Sequence, residues 1–356
     1  MSISIDLLAS PLQHHLKSRC QPFPLSPLIS PNPQPMKLTF IIDPIAKLDP
    51  THDTSVALME AADRAGHQVW ITQAEKLSVV EGRAWGFLQS VKLTPVQLQA
   101  GRWVAQEDWY QLGDVAFQPL EEMDAVFMRT DPPVDVPYLY TTYILDCIDP
   151  AKTLVVNSPA GLRAANEKMF ALQFAQWMTE TIVSRDKDVI RQFVETHGAA
   201  VLKPLGGKGG EGILFLTPDD RNFNSLVEVS TGRDREPLMI QKFLPAAKDG
   251  DKRIILLDGK PLGAVNRIPT GKEFRGNMAV GGRSAQVDIT ERELQMCAEI
   301  APKLQAAGLY FVGIDVIGGY LTEVNVTSPT GIREIDRLND VSLGQQVIEW
   351  LSRRRR

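Results

Sequence analysis

Glu323, Asn325 and Thr327 alternate with Val324 and Val326 in "LTEVNVTSP", residues 321–329. Side chains on a strand alternate with period two, so a carboxylate, an amide and a hydroxyl share one face and two valines the other. Upstream, "GIDVIGGYLTEV" places Asp315 on the partner strand of a hairpin. A three-residue loop over 318–320 sets Ile317 against Leu321 and Asp315 against Glu323 on the same face. A two-residue Gly-Gly loop sets them on opposite faces. Two carboxylates about 5 Å apart repel by roughly 3 kcal/mol at an effective dielectric near 20, so such a pair calls for a cation or a shared proton. Asp315, Glu323 and the Asn325 amide are hard oxygen donors suited to Mg²⁺. The alternative is a solvated sheet face carrying unremarkable acids.

A second chemical stretch is "KPLGGKGGEG", residues 203–212. It is neither a phosphate loop of the G-x-x-x-x-G-K-[ST] type nor a dinucleotide fingerprint, because a strand rather than a helix follows it. A glycine hairpin can still lay backbone N–H groups over phosphates, with Lys203 before it and Lys208 within it as cations. Most glycine hairpins are simple turns. This one is followed about 110 residues later by the acidic hairpin, and between them lie Lys242, Arg253, Arg267, Arg275 and Arg283.

The elements that must position these residues are legible in outline. "KLTFIID" reads as a buried strand. "HDTSVALMEAADRAG" reads as a helix capped by Asp53 or Thr54 and stopped by Gly66, and "QVWIT" as a second strand, which makes a βαβ opening. "MDAVFMRT" and "TLVVNSP" read as further strands, the latter leading into a helix at Pro159. Helical patterns at 186–197 and 219–229 flank the glycine hairpin. "PLMIQKFLP" and "DKRIILLDGKPLGAVNRI" read as strands, the second pair joined at Asp258-Gly259. Residues 269–283 read as a loop, and 290–308 as a helix with a Thr290–Glu293 capping box and Gly308 as its stop. The fold class expected is α/β (α+β): an N-terminal open parallel sheet domain over 36–160, then two α+β subdomains over 161–245 and 246–350.

Of 356 residues, 44% are hydrophobic and 23% charged, which is ordinary for a globular chain. The net charge of −5 implies no general attraction to nucleic acid. No apolar run approaches 18 residues, so no membrane helix is expected. Cys20, Cys147 and Cys297 are scattered and odd in number; they suit a reducing, cytoplasmic setting and give no zinc spacing. All five histidines precede residue 198, which excludes a histidine metal site in the C-terminal half. Residues 1–35 carry seven prolines and one acid and read as a disordered extension or a transit-type leader. Residues 351–356, ending "RRRR", read as a solvated basic tail.

The glycine loop with Lys203, "MIQKFLP", "KDGDKRI", "RGNMAVGGR", "GIDVIGG" and "LTEVNVTSPTGIREI", with "FMRTDPPVD", "TYILD", "VVNSP" and "NEKMF" before them, resembles the prokaryotic-type glutathione synthetases of the ATP-grasp superfamily over about residues 36–350. The loop departs from the family, which commonly carries an acid and a Met in its Gly-Gly-Lys portion. The resemblance implies two subdomains clamping ATP, and ligation of γ-glutamylcysteine to glycine through an acyl phosphate. It implies Mg²⁺ (with Mn²⁺ as a substitute) on Asp315, Glu323 and Asn325. It places the nucleotide on Lys168, Lys203, Gly207, Gly209, Gly210, Gln241, Lys242, Phe243 and Leu244, with backbone groups of 238–244 facing adenine. Arg253, Arg267 and Arg275 take catalytic roles, and Arg129, Arg283, Ser328 and Thr330 meet substrate. Residues 269–283 become a lid, and a homo-oligomer is expected. The alternatives are another carboxylate–amine ligase of the superfamily, such as a D-alanine–D-alanine ligase or a peptide-tail glutamate ligase, or a non-catalytic nucleotide-binding module.

Overall fold

The computed structural model describes residues 34–207, 209–270 and 282–354. Residues 1–33, Lys208, Arg275 with the rest of 271–281, and 355–356 lie outside the described residues, and with them nearly all of the expected leader and lid.

The first part of the chain runs β1 (Lys37–Ile41), α1 (Thr54–Arg64), β2 (Gln68–Thr72), β3 (Leu77–Val80), β4 (Arg83–Leu93), β5 (Gln97–Gln99), β6 (Arg102–Val104), β7 (Tyr110–Pro119), β8 (Ala125–Met128), α2 (Val136–Leu145), β9 (Leu154–Val156), α3 (Pro159–Ala164) and α4 (Glu167–Ala171). β2, β1, β8 and β9 pair in parallel in that order. Leu38, Phe40, Val126 and Phe127 are wholly buried, as expected of strands covered on both faces. Asp53 caps α1 by accepting from Val56 N at 2.9 Å, as expected. The sheet is not purely parallel: β3, β4 and β7 extend it as antiparallel strands beyond β2.

Next come β10 (Thr181–Ser184), α5 (Lys187–His197), β11 (Ala200–Pro204), β12 (Leu214–Leu216), α6 (Phe223–Ser230) and β13 (Leu238–Lys242). They form a four-stranded antiparallel sheet, β10-β13-β11-β12, with the glycine loop joining β11 to β12. Ile190, Val194, Phe223 and Val227 pack both helices on this sheet, and the two elements share a small core of their own.

The last part holds β14 (Asp251–Leu257), β15 (Lys260–Ile268), β16 (Arg283–Gln286), α7 (Glu291–Ala306), β17 (Phe311–Ile317), β18 (Tyr320–Asn325), α8 (Ile332–Asn339) and α9 (Leu343–Arg354). The sheet order is β16-β15-β14-β17-β18, all antiparallel. The Thr290–Glu293 capping box opens α7. The basic tail is corrected: Arg353 and Arg354 are the last turn of α9, where cations suit the helix dipole. Arg354 bonds Asp258 at 2.8 Å and lies over Tyr310.

The expected subdomain boundaries do not bound the cores. α8 and α9 return to pack on α1, and one core combines Phe40, Leu58 and Phe127 with Ile255, Phe311, Ile335 and Val347. Asn157, just after β9, sews this junction. Its Nδ2 donates to Phe311 O (2.8 Å) and Val326 O (2.7 Å), and its Oδ1 accepts from Tyr310 N (2.7 Å) and Phe311 N (2.8 Å). Every hydrogen-bonding direction of a buried amide is thereby used. Asn157→Ala leaves these groups unpaired, and a buried unpaired group costs about 1–3 kcal/mol. The expected loss is about 3–6 kcal/mol in chemical denaturation, and a loss below about 1 kcal/mol would show that the junction holds by apolar packing alone.

Candidate functional site

The sheet register writes the site across one face. On β14, Asp251 and Arg253 are two residues apart and share a face. Arg267 of β15 lies opposite Asp251, Asp315 of β17 opposite Arg253, and Glu323 of β18 opposite Asp315. The acidic pair thus shares a face as expected, but the expected loop is corrected. Ile317 pairs with Tyr320 and Val316 with Leu321, so the turn is the two-residue Gly318-Gly319, both at positive φ. A register shift after Asp315, at Thr322, restores the facing of Asp315 and Glu323.

The two carboxylates are compensated by side-chain cations. Arg253 meets Asp315 bidentately, Nε to Oδ1 and Nη2 to Oδ2, both at 2.7 Å. Arg267 Nη2 lies 3.0 Å from Asp315 Oδ1 and 2.6 Å from Asp251 Oδ2. Asn325 Nδ2 donates to Asp315 Oδ2 at 3.2 Å. Burial opposes the charge on Asp315, but Arg253 and Arg267 overcome it and hold the carboxyl well below the usual range. Glu323 Oε1 is 2.9 Å from Lys168 Nζ. The cation that the acid pair calls for is supplied among the described residues by Arg253, Arg267 and Lys168.

Lys168 also donates to Gly207 O at 3.1 Å, tying α4 to both the glycine loop and the hairpin. Lys203 projects from β11 and donates to Gln241 Oε1 at 2.8 Å; burial holds its ammonium below the ordinary lysine value. Together these groups line a cavity of about 980 Å³ with Gly207, Gly209, Gly210, Gln241, Lys242, Phe243, Leu244, Asn325, Ser328 and Thr330. Val201, Ile213, Phe243, Leu244 and Ile317 give it an apolar lining. The expected backbone face of 238–244 narrows, since Lys242 N and Phe243 N are spent on Glu180 O and Ala199 O. Leu244 N–H is the donor of these three with no partner among the described residues.

Two expected residues are elsewhere. Arg283 is exposed at the start of β16 and does not line the cavity. Arg129 is buried behind the wall rather than on it, bonded to Ser55 Oγ at 3.0 Å and Pro329 O at 3.1 Å, where it braces the 328–330 turn. Arg253 Nη1 reaches Thr330 O at 3.4 Å, and Gly331, at φ 131°, turns the chain from there into α8.

The sequence reading passed over Asp251 and Glu167, although both stand in motifs it singled out. Glu167 Oε1 accepts from Val326 N, Thr327 N and Thr327 Oγ1, fixing the end of β18. Burial and then Glu323 push its carboxyl up. Burial likewise lifts Asp251 to about 6 against the pull of Arg267.

A mixed sheet with a parallel centre, followed by two antiparallel sheets facing a cavity lined by lysines, arginines and acids, is the ATP-grasp ligase architecture. Among solved structures, D-cycloserine synthetase DcsG matches with a TM-score of 0.62 at 13% identity, over 90% of this chain and 100% of that one. The ATP-grasp ligase PsnB with its minimal precursor matches with a TM-score of 0.59 at 16% identity, over 89% and 98%. The prokaryotic glutathione synthetase N-terminal domain model matches residues 36–163, and the prokaryotic glutathione synthetase ATP-grasp domain model matches residues 167–340. Glutathione synthetases from Synechocystis sp. and Nostoc sp. are each 65% identical over 318 residues, covering 89% of this chain and 99% and 98% of theirs. That from Gloeobacter violaceus is 46% identical, over 89% of this chain and 96% of its own. The chain belongs to the prokaryotic glutathione synthetase family.

Asp251 sets a pH dependence. Protonated, it no longer balances Arg267, so turnover is expected to fall as pH drops through about 6, and Asp251→Asn to abolish that limb. Stability moves the other way. The folded value lies above the unfolded one (~3.9), so this group stabilises the fold fully below the unfolded value and loses that contribution as pH rises through about 6. A pH–rate profile with the same limb in the variant would refute the assignment.

Proposed function

We propose that this chain joins γ-glutamylcysteine to glycine with conversion of ATP to ADP and phosphate. The observation that carries it is the convergence of Lys168, Lys203, Arg253 and Arg267 on one cavity wall in a chain of this family. The γ-phosphoryl passes to an oxygen of the cysteinyl carboxylate as its bond to the ADP oxygen breaks. The glycine nitrogen then attacks the acyl carbon, and phosphate leaves. Phosphoryl transfer needs positioning and charge neutralisation more than covalent help. Lys168 and Lys203 hold the phosphates beside the N–H groups of Gly207, Gly209 and Gly210. The apolar lining takes adenine, with Leu244 N–H as its donor. Arg253, fixed by Asp315, and Arg267, fixed by Asp251 and Asp315, face the negative charge that grows on the phosphoryl group and then on the tetrahedral oxygen. Ser328 and Thr330 contact the carboxyl donor, and Arg129 acts by holding their turn.

The wall also fits Mg²⁺ (or Mn²⁺). Glu323 uses one oxygen on Lys168, and Asn325 uses only its amide nitrogen, so a carboxylate oxygen and an amide oxygen stay without protein partners among the described residues. These are hard donors of the type Mg²⁺ takes alongside phosphates. Asp315, engaged on both oxygens by Arg253, joins them only by yielding part of that contact. Bound there, the ion neutralises phosphate charge.

No helix among the described residues is long and apolar enough to cross a membrane, and a cytoplasmic enzyme is part of this proposal. So is self-association, supported by the edge strand β7, which exposes Leu112, Val115 and Phe117.

A coupled ADP-release assay with each substrate omitted in turn tests the reading. Release is expected only with ATP, γ-glutamylcysteine and glycine together, and none with that set rejects it. Glu323→Ala is expected to lower ADP release and peptide formation together by about tenfold or more; unchanged turnover counts against the role of Glu323.

A further inference from the structure

The cavity carries charges of both signs. Lys168, Lys203, Arg253 and Arg267 line it together with Glu167, Asp251, Asp315 and Glu323, and Asp49, Asp53, Asp131 and Glu334 line it together with Lys47 and His52. Acids at a surface are no site by themselves, but Glu334 differs from the rest. It is buried, 7% exposed, and still lines the cavity. Its Oε1 is held by His52 Nδ1 at 2.7 Å, and its Oε2 has no partner among the described residues. A carboxylate half-satisfied by protein and open to a cavity has an acceptor that water, or a cationic or donor group of a ligand, can complete. The neighbouring arginines do not serve. Arg333 turns away to Glu60 at 2.8 Å, Arg337 to Ser284, and Arg129 to Ser55 and Pro329.

We propose that Glu334, held by His52, is the specificity residue for the α-ammonium of the γ-glutamyl donor. This rests on the ligase reading above. The donor is favoured over glycine by reach. Gly331 abuts the Arg253 side chain, and Glu334 lies one helical turn beyond it, about 5 Å along α8. A γ-linked dipeptide with its carboxylate at Arg253 extends roughly 10 Å, about three residue lengths, which carries its ammonium past Gly331 to the Glu334 carboxylate. Glycine must place its nitrogen on the acyl carbon beside Arg253, and its other end is a carboxylate, which Glu334 would repel. His52 is a positioning residue, because it fixes Oε1 and so aims Oε2 inward.

The test measures KM separately for the donor and for glycine, using γ-glutamylcysteine and glutaryl-cysteine, which lacks only the α-ammonium. Wild type is expected to show a KM for glutaryl-cysteine about tenfold or more higher, the scale of a lost charge-assisted hydrogen bond. Glu334→Gln is expected to raise the KM for γ-glutamylcysteine by about as much, leave that for glycine in place and erase the preference between donors, with Glu334→Asp restoring part of it. A shift confined to glycine, or equal weakening of both donors, overturns the proposal. Should Glu334→Gln not fold, His52→Ala carries the test, and unchanged donor discrimination in it overturns the proposal too. ADP release by wild type with discrimination untouched by these variants refutes this subsite alone, whereas no ADP release at all refutes the ligase reading instead.

Discussion

The structure around the cavity depends on a buried exchange of charge, Arg253 and Arg267 against Asp315 and Asp251. All four lie on one face of the last sheet; Arg253, Arg267 and Asp315 are buried and Asp251 is half-buried. Removing such charges from solvent costs several kcal/mol each, and only near-ideal geometry returns it. That geometry comes from strand register. Residues directly opposite on antiparallel strands stand about 4.5–5.5 Å apart at Cβ, so pairing Arg253 with Asp315 and Arg267 with Asp251 sets each fork before any side chain chooses a rotamer. A network of this kind is weak evidence for stability and better evidence for pre-organisation. The two guanidinium groups are held in place by their ion pairs, and on the proposed reading the reacting groups would meet them without further rearrangement.

The same register explains why the site sits where three stretches of chain meet. The last sheet supplies the charges, the four-stranded sheet supplies Lys203 and the apolar lining, and α4 reaches across with Lys168. Asn157 and the return of α8 and α9 onto α1 fasten the first sheet to the last. Function at such a junction follows from spacing alone. On the proposed reading, groups for phosphate, metal and carboxylate must all reach one small volume, and no single sheet presents three such surfaces.

Much of this was legible in advance, for reasons that differ by element. Periodicity marked β1, α1, β17 and β18, and cap chemistry marked Asp53, Thr290 and Gly308, because those signals are local. The acidic hairpin was read to the right outcome by the wrong loop. A bulge at Thr322 offsets the shorter turn, and a bulge leaves no composition signal when the extra residue is a threonine. The strands between Leu77 and Pro119 went unassigned, although Ala84, Gly86 and Leu88 alternate inward along β4. Their exposed aromatics, Phe87 and Phe117, blur the contrast that alternation relies on. Arg129 was read as a substrate contact because it stands beside "TDPP". Only the fold shows that its guanidinium faces Pro329 O, 200 residues away. Asp251 and Glu167 were missed because a buried acid announces itself by its partners, and those partners lie on other strands.

The mixture of charge within the cavity has a chemical logic on the proposed reading. Joining a carboxylate to an amine through an acyl phosphate sets opposite demands at two places. Negative charge that accumulates where phosphate is transferred would meet the cations fixed by Asp251, Asp315 and Glu323. A cationic amino-acid end would need an acid such as Glu334. A single pocket of uniform sign would not serve both. The 328–331 turn is held on one side by Arg129 at Pro329 O and on the other by Arg253 at Thr330 O. One arginine lies behind the wall and one on it, and both spend backbone-directed donors on the same four residues. The position of this turn in the cavity wall thus depends on both arginines.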